Sequence, residues 1–441
     1  MGNILNPDKE NSFIRLANRK NKYLFVDKTD FIEKTNKRLN EDNRFLAVTR
    51  PRRFGKTVTA HMLSAYYSKG YAGQKIFDDL KIFKDENYAE HLNKYNVIYI
   101  DVNSIKDKYI SYKSDKALYI KDIDDIVDFL QYMVIQELKE NNNYAEQIEK
   151  APLVGKKSLL SALEVVCKYT GEQFIFIMDE WDLIYREFQN ENALQEKFIE
   201  LLRGLFKSDD GQACFALAYL TGILPIKKYN SQSALNNFDE FNMLSSGDLA
   251  PYFGFTEDEV AEISRTSDCK VSHHDLKEWY EGYQINGIDI YNPNSVCKAI
   301  SRNECISYWS GTSSNEEVVN LINMNFDGIK DDIIHLIEGS SIQFSCTTFQ
   351  NDMVSIKTKD DIFSLLVCLG YLGCVDDGGD YRLAYVPNKE IRTALSSIVK
   401  AQPWFNSMPI IERSQSLFDA ITTLDNDKTA KIIGSSRIFL D

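Results

Sequence analysis

The sequence predicts an α/β fold, a parallel sheet with crossover helices, followed by a mainly α-helical domain. Three observations predict it. From about residue 45 to 226 short runs rich in Ile, Val, Phe and Tyr alternate with helical patterns, two of those runs end on polar clusters, and beyond about residue 230 the alternation stops. A chain of 441 residues, at roughly 150 per domain, holds two or three cores. Its 44% hydrophobic content against 26% charged excludes a mainly disordered chain.

Taken in order, residues 1–44 are expected to pack as an N-terminal segment on a core spanning 45–230. Four strands are predicted there: Phe45–Thr49, Val97–Asp101, Phe174–Asp179 and Cys214–Thr221. All are apolar on both faces, as a sheet covered on both sides requires. Between them Ile123, Ile126, Val127, Leu130, Met133, Val134 and Leu138 recur at helical spacing, as do Leu194, Phe198, Leu201, Leu202 and Leu205. In the helical domain, 231–395, Thr256 and Glu259 suit a capping box. There, a helix over 361–372, the turn Gly378-Gly379 and a strand over 381–386 outline a winged helix. Its turn, Val375-Asp-Asp-Gly-Gly-Asp380, is acidic where phosphate contact wants Lys or Arg. Residues 396–441 read as a C-terminal helical segment.

A net charge of −14 argues against general affinity for nucleic acid or anionic membrane. Eight cysteines lie singly, without metal-site spacing, and read as reduced buried thiols. The N-terminus lacks a secretory apolar core, and the uncharged, mostly apolar stretch 213–226 is shorter than the roughly 18 to 20 residues that span a bilayer. A cytoplasmic protein is expected.

The strongest chemical signal is Thr49-Arg-Pro-Arg-Arg-Phe-Gly-Lys-Thr57, between the first strand and a helix from Val58 to Tyr67. A loop there cradles phosphates: glycine lets backbone N–H groups turn inward, the helix N-terminus favours anions, a Lys reaches the β and γ phosphates, and a Thr hydroxyl ligates Mg²⁺. Gly55, Lys56 and Thr57 match those roles, with Arg52, Arg53 and Phe54 completing the loop. Arg50 stands where the strict pattern has its first glycine. The third strand ends at Asp179-Glu180, where Asp179 can orient Mg²⁺ and Glu180 can polarise a water. Alone, Asp179 also suits a helix cap. Together these elements predict a P-loop nucleoside triphosphatase core.

Three roles stay open. Thr221, ending the fourth strand, either faces the γ phosphate or bonds its own turn. Arg50, Arg52 and Arg53 either stabilise transition-state charge or pair with Asp179, Asp182 or Asp101. Asp182 either caps the next helix or bonds Arg52 or Arg53. His273-His274 shows no nearby ligand set, His61 reads as packing, and Pro7-Asp8 reads as a polar arm.

The chain resembles the bacterial AAA-ATPase-like family, whose members are often fused to a PD-(D/E)XK nuclease module. The likeness runs over about residues 10–395 and rests on Phe25-Val-Asp-Lys-Thr29, Arg50 to Thr57, Asp179-Glu-Trp-Asp182, Phe253-Gly-Phe-Thr256, Trp279-Tyr-Glu-Gly-Tyr283, Tyr291-Asn-Pro293, Tyr308-Trp309 and Gly370-Tyr-Leu372. The resemblance implies that Arg50 is a family trait, that the core is a P-loop core of the additional-glutamate class with Lys56, Thr57, Asp179 and Glu180 in their usual places, and that the segment holding Asp27 either closes over the adenine or anchors the N-terminus. It implies too that the nuclease module is absent, the chain ending at Arg437-Ile-Phe-Leu-Asp441.

The function expected is Mg²⁺-dependent ATP binding and hydrolysis, coupled to a change of contact between core and helical domain. Catalysis is assigned to Glu180, Lys56, Thr221 and Arg53. Nucleotide binding is assigned to Arg52 through Thr57 with Asp27, and Mg²⁺ to Thr57 and Asp179. Two alternatives are a nucleotide-dependent binding switch with negligible turnover and the ATPase part of a DNA-processing nuclease system. A protein partner or homo-oligomer is expected, DNA only weakly, and no membrane.

Overall fold

A computed structural model describes residues 3–4, 12–18, 24–71, 75–114, 120, 123–140, 144–150, 158–226, 228–229, 232–266, 269–309, 314–351 and 355–402. Pro7-Asp8 and all of 403–441 lie outside the described residues. The first half is built on six strands: β1 Asn3–Ile4, β2 Phe45–Thr49, β3 Asn96–Asp101, β4 Phe174–Asp179, β5 Phe215–Gly222 and β6 Asp239–Phe241. Their order is β1-β3-β4-β5-β2-β6, and every neighbouring pair is parallel.

Side chains alternate across a strand, so one apolar run feeds two cores. In β4, Phe174, Phe176 and Met178 enter one cluster while Ile175 and Ile177 enter the cluster behind. The first is covered by helices Ile126–Glu140 and Asn192–Lys207 and by Leu159–Thr170, the second by Lys56–Tyr67. The sheet is thus the middle of three layers. Parallel pairing brings every carboxyl end to one edge, so Asp101, Asp179, Thr221 and Val48 stand in register across β3, β4, β5 and β2.

The sequence reading missed both edge strands. Asn3–Ile4 is only two residues long, and Asp239–Phe241 falls beyond residue 230 with a charged, partly exposed pattern unlike a buried strand. The second half is mostly helical but also holds two three-stranded antiparallel sheets. In order β8-β9-β7 these are β7 Phe255–Thr256, β8 Tyr283–Ile285 and β9 Ile288–Tyr291. In order β10-β12-β11 they are β10 Ile342–Ser345, β11 Gly373–Asp376 and β12 Tyr381–Tyr385. The helix before β11 runs Lys359–Leu369, opened by a full capping box of Thr358 and Asp361. Among the described residues no helix is long and apolar enough to cross a membrane.

The loop between β2 and the helix Lys56–Tyr67 is wedged into this second half. Phe54 is 1% exposed and sits edge-on to Tyr283, ring centroids 5.1 Å apart, inside the second-half core. Gly370 has to be glycine for the approach: a Cβ there would fall 2.6 Å from the Pro51 side chain.

Candidate functional site

The loop closes over the start of α1, Lys56–Tyr67, with Gly55 as its N-cap at φ 88, a left-handed conformation that glycine adopts freely. This puts Lys56 and Thr57 in the first turn, where free N–H groups and the helix dipole favour an anion. Lys56 is 5% exposed and its Nζ donates to Pro51 O at 2.9 Å. Burial lowers its pKa, opposed by the charges of Glu180, Asp179 and Asp182. The ammonium therefore shares its neighbourhood with the acids ending β4.

Asp179 is 1% exposed, and burial pushes its carboxyl up to about 7 despite a hydrogen bond from the Thr57 side chain and the nearby Lys56 charge. Its Oδ1 accepts the Glu180 N–H at 3.0 Å. Glu180 follows at φ 54, left-handed for a non-glycine residue, so the chain turns sharply as the strand ends. The Glu180 carboxylate is ion-paired with Arg186 on the short helix Leu183–Glu187. Two cavities meet here. A polar one of about 440 Å³ is lined by Arg52, Thr57, Asp101, Asp179, Glu180 and Arg186 among others. A mostly apolar one of about 400 Å³ shares Arg52, Thr57 and Glu180 and runs past Lys56 to Phe25, Met62, Phe255 and Asn294.

Lys56, Thr57, Asp179 and Glu180 therefore converge, with Arg52, Phe54 and Gly55 around them. The three loop arginines separate. Arg50 is fully buried beneath the loop, donating from Nη1 to Thr49 O at 2.8 Å and Phe241 O at 3.1 Å with its guanidinium 5.4 Å from the Phe253 ring, and burial lowers its pKa to about 10. Arg53, at φ 71, lines the apolar cavity and donates from Nη1 to Tyr308 O at 2.5 Å in the second half. Asp182 pairs with Arg186 at 2.8 Å and accepts the N–H groups of Ile223 and Leu224, so neither a cap nor a loop arginine takes it.

Two assigned residues are occupied elsewhere. Thr221 is fully buried and donates its hydroxyl to Val48 O at 2.8 Å. Asp27 gives both carboxylate oxygens to its surroundings: Oδ1 accepts from Thr29 N and Oγ1, Oδ2 from Lys81 N at 2.7 Å. Its neighbours Phe25, Val26 and Lys28 line the apolar cavity instead.

Sequence reasoning missed Arg186 and Asn294. An acid and an arginine at i and i+4, Asp182 and Arg186, was the only available signal for the first. Asn294 follows the N-cap Asn292 of helix Pro293–Arg302, lines the apolar cavity and carries a buried Nδ2 without a partner among the described residues. His274 does have neighbours: Asp275 and Glu278 bring ligand atoms within 4.8 Å of it, all exposed on one helix. No disulfide joins any of the eight cysteines, and Cys214, Cys368 and Cys374 are buried.

Residues 11–230 match the family model described as Predicted AAA-ATPase. A protein of Azotobacter chroococcum mcd 1, described as "Uncharacterized protein in vnfD 5'region", is similar at 21% identity over 414 residues, spanning 91% of this chain and 71% of that one. Among solved structures the Aeropyrum pernix ORC2 protein, in ADPNP–ADP complexes, is similar at 10% identity, covering 87% of this chain and 98% of that chain. Its TM-score of 0.31 is too low to carry an argument.

Proposed function

We propose, for a chain that belongs through residues 11–230 to the AAA-ATPase-like family of predicted AAA-ATPases, that the protein binds ATP and hydrolyses it with Mg²⁺. One observation carries this reading: Lys56 and Thr57 at a helix N-terminus face Asp179-Glu180 at the end of β4, with the Thr57 side chain already hydrogen-bonded to Asp179. The Thr57 hydroxyl and Asp179 carboxylate are hard oxygen donors of the kind Mg²⁺ takes, in a site where burial leaves the carboxylate short of countercharge. Mg²⁺ held there supplies charge neutralisation on the phosphate oxygens.

The chain's own residues do the rest. Lys56 exchanges Pro51 O for the β and γ phosphates, and the backbone N–H groups of 52–57 cradle them. Glu180 takes a proton from water, whose oxygen attacks the γ phosphorus, while the β–γ bridge oxygen leaves with ADP. The apolar cavity takes the adenine, with Phe25 and Phe255 supplying the slot and the Asn294 amide a polar contact. The place of β5 between β2 and β4 supports the additional-glutamate class.

Coupling to the second half is supported by the loop itself: Pro51 meets Gly370, Arg53 meets Tyr308 O, and Phe54 packs on Tyr283. The helix Lys359–Leu369 with β11 and β12 supports a winged-helix reading, and its acidic turn supports a protein partner or second copy of this chain over DNA. A cytoplasmic location belongs to the same reading.

A second reading, a nucleotide-dependent switch with negligible turnover, is favoured by the ion pair that occupies Glu180. Phosphate release separates the two. Glu180→Gln is expected to bind ATP as wild type does while turning over about 10² to 10⁴ times more slowly. Undiminished hydrolysis removes Glu180 from the chemistry, and a wild type that binds ATP without releasing phosphate is the switch.

A further inference from the structure

Arg186 is buried, 5% exposed, and holds two acids at once. Its Nη2 bonds Glu180 Oε2, and its Nε lies 2.8 Å from Asp182 Oδ2. Asp182, fully buried, passes the connection on: the same Oδ2 accepts Ile223 N at 3.2 Å and Leu224 N at 2.9 Å, directly beyond β5. A bidentate-capable guanidinium thus ties Glu180, just past the end of β4, to the end of the next strand. Lys56 lies in the same neighbourhood, and among the acids acting on it the Glu180 charge is the largest.

We propose that Arg186 is a positioning residue for hydrolysis: it holds Glu180 beside the attacking water and away from the phosphate-binding Lys56. The inference rests on the ATPase reading. Pinning one carboxylate oxygen leaves the other free to accept the water's proton. The entering triphosphate repels Glu180, and the arginine resists that repulsion. Without it, Glu180 falls to Lys56 and competes with phosphate for the same ammonium. Lysine offers one point charge where arginine offers a fork, so Arg186→Lys restores charge but cannot span both carboxylates.

The test is single-turnover ATP hydrolysis and ATP binding in the full chain, for wild type, Arg186→Lys, Arg186→Gln, Glu180→Gln and the double variant Glu180→Gln/Arg186→Gln. Because Arg186→Gln leaves Asp182 a buried lone charge, Asp182→Asn/Arg186→Gln, which removes both charges and keeps an oxygen for the two N–H groups, is measured beside it. Misplacing a catalytic group is expected to cost about 10²-fold in rate in Arg186→Gln and in Asp182→Asn/Arg186→Gln, with Arg186→Lys between them and wild type. The expected signature is non-additivity: once Glu180 is glutamine, losing Arg186 slows hydrolysis no further. A purely structural arginine predicts multiplied losses in the double variant. Multiplied losses, a rate within threefold of wild type, or a faster Arg186→Gln enzyme, as a latch would give, overturns the proposal. A wild type that binds ATP but releases no phosphate instead defeats the hydrolytic reading on which it stands.

Discussion

Burial sets the behaviour of single residues here more than their charge does. Asp179 and Glu390 are both carboxylates pushed up to about 7 by burial, one at the site and one outside it. Glu390 is fully buried on helix Lys389–Lys400, where its Oε1 accepts Ser295 Oγ at 2.9 Å and Tyr308 N at 2.7 Å. Since the folded form keeps its proton to about 7 while the unfolded form releases it near the ordinary value, this group's contribution to stability is full at low pH and lost as pH rises to about 7. Glu390→Gln should therefore gain stability relative to wild type between pH 5 and 8, on the order of 2 kcal/mol at the upper end. Urea unfolding at both pH values checks this, and a difference that does not change with pH contradicts it. Asn294 carries a different prediction. An amide presents a donor and an acceptor that pair with adenine's N6 and N7 but not with the two acceptors guanine shows on that edge, so Asn294→Leu should reduce the ratio of ATP to GTP affinity about tenfold. Fluorescent analogues of both nucleotides measure it, and an unchanged ratio rules Asn294 out as the reader. At this scale the sequence made Lys56, Thr57, Asp179 and Glu180 legible because each stands at a strand end or helix start. It could not sort the arginines, because the left-handed turn at Arg53 and the burial of Arg50 are decided by tertiary contacts.

Among the elements, the apolar runs at 45–49, 96–101, 174–179 and 215–222 were readable because a strand buried on both faces is apolar throughout. The edge strands were not, since Asp239–Phe241 needs no apolar face and takes its place from pairing with β2. The loop before α1 is the element that joins site to packing: it presents Lys56 to the cavity, while Phe54 lines that cavity and also packs in the second-half core, and Pro51 meets Gly370. Phe54→Ala empties a buried aromatic site and should cost about 3–5 kcal/mol of unfolding free energy. A denaturation midpoint indistinguishable from wild type would show that the loop is not held by this wedge.

For the whole molecule, the apolar cavity draws Phe13, Phe25 and Met62 from the first half and Phe255, Pro293 and Asn294 from the second. Nothing in sequence spacing reveals that, because residues more than two hundred positions apart meet only once both halves have packed. The same packing links the loop outward, from Arg53 to Tyr308 O and from Tyr308 N to Glu390. A triphosphate that draws on Lys56 and the loop backbone therefore acts on a segment both halves hold. In the reading proposed above, this loop and the acids at the end of β4 form one site for Mg²⁺ and ATP. Phosphate release by purified wild type and Lys56→Ala, at saturating ATP and Mg²⁺, tests it most directly. Steady release by wild type and a loss of about 10²-fold or more in the variant are predicted, since the ammonium stabilises charge on the transferred phosphoryl group. Equal rates in the two proteins would contradict the claim.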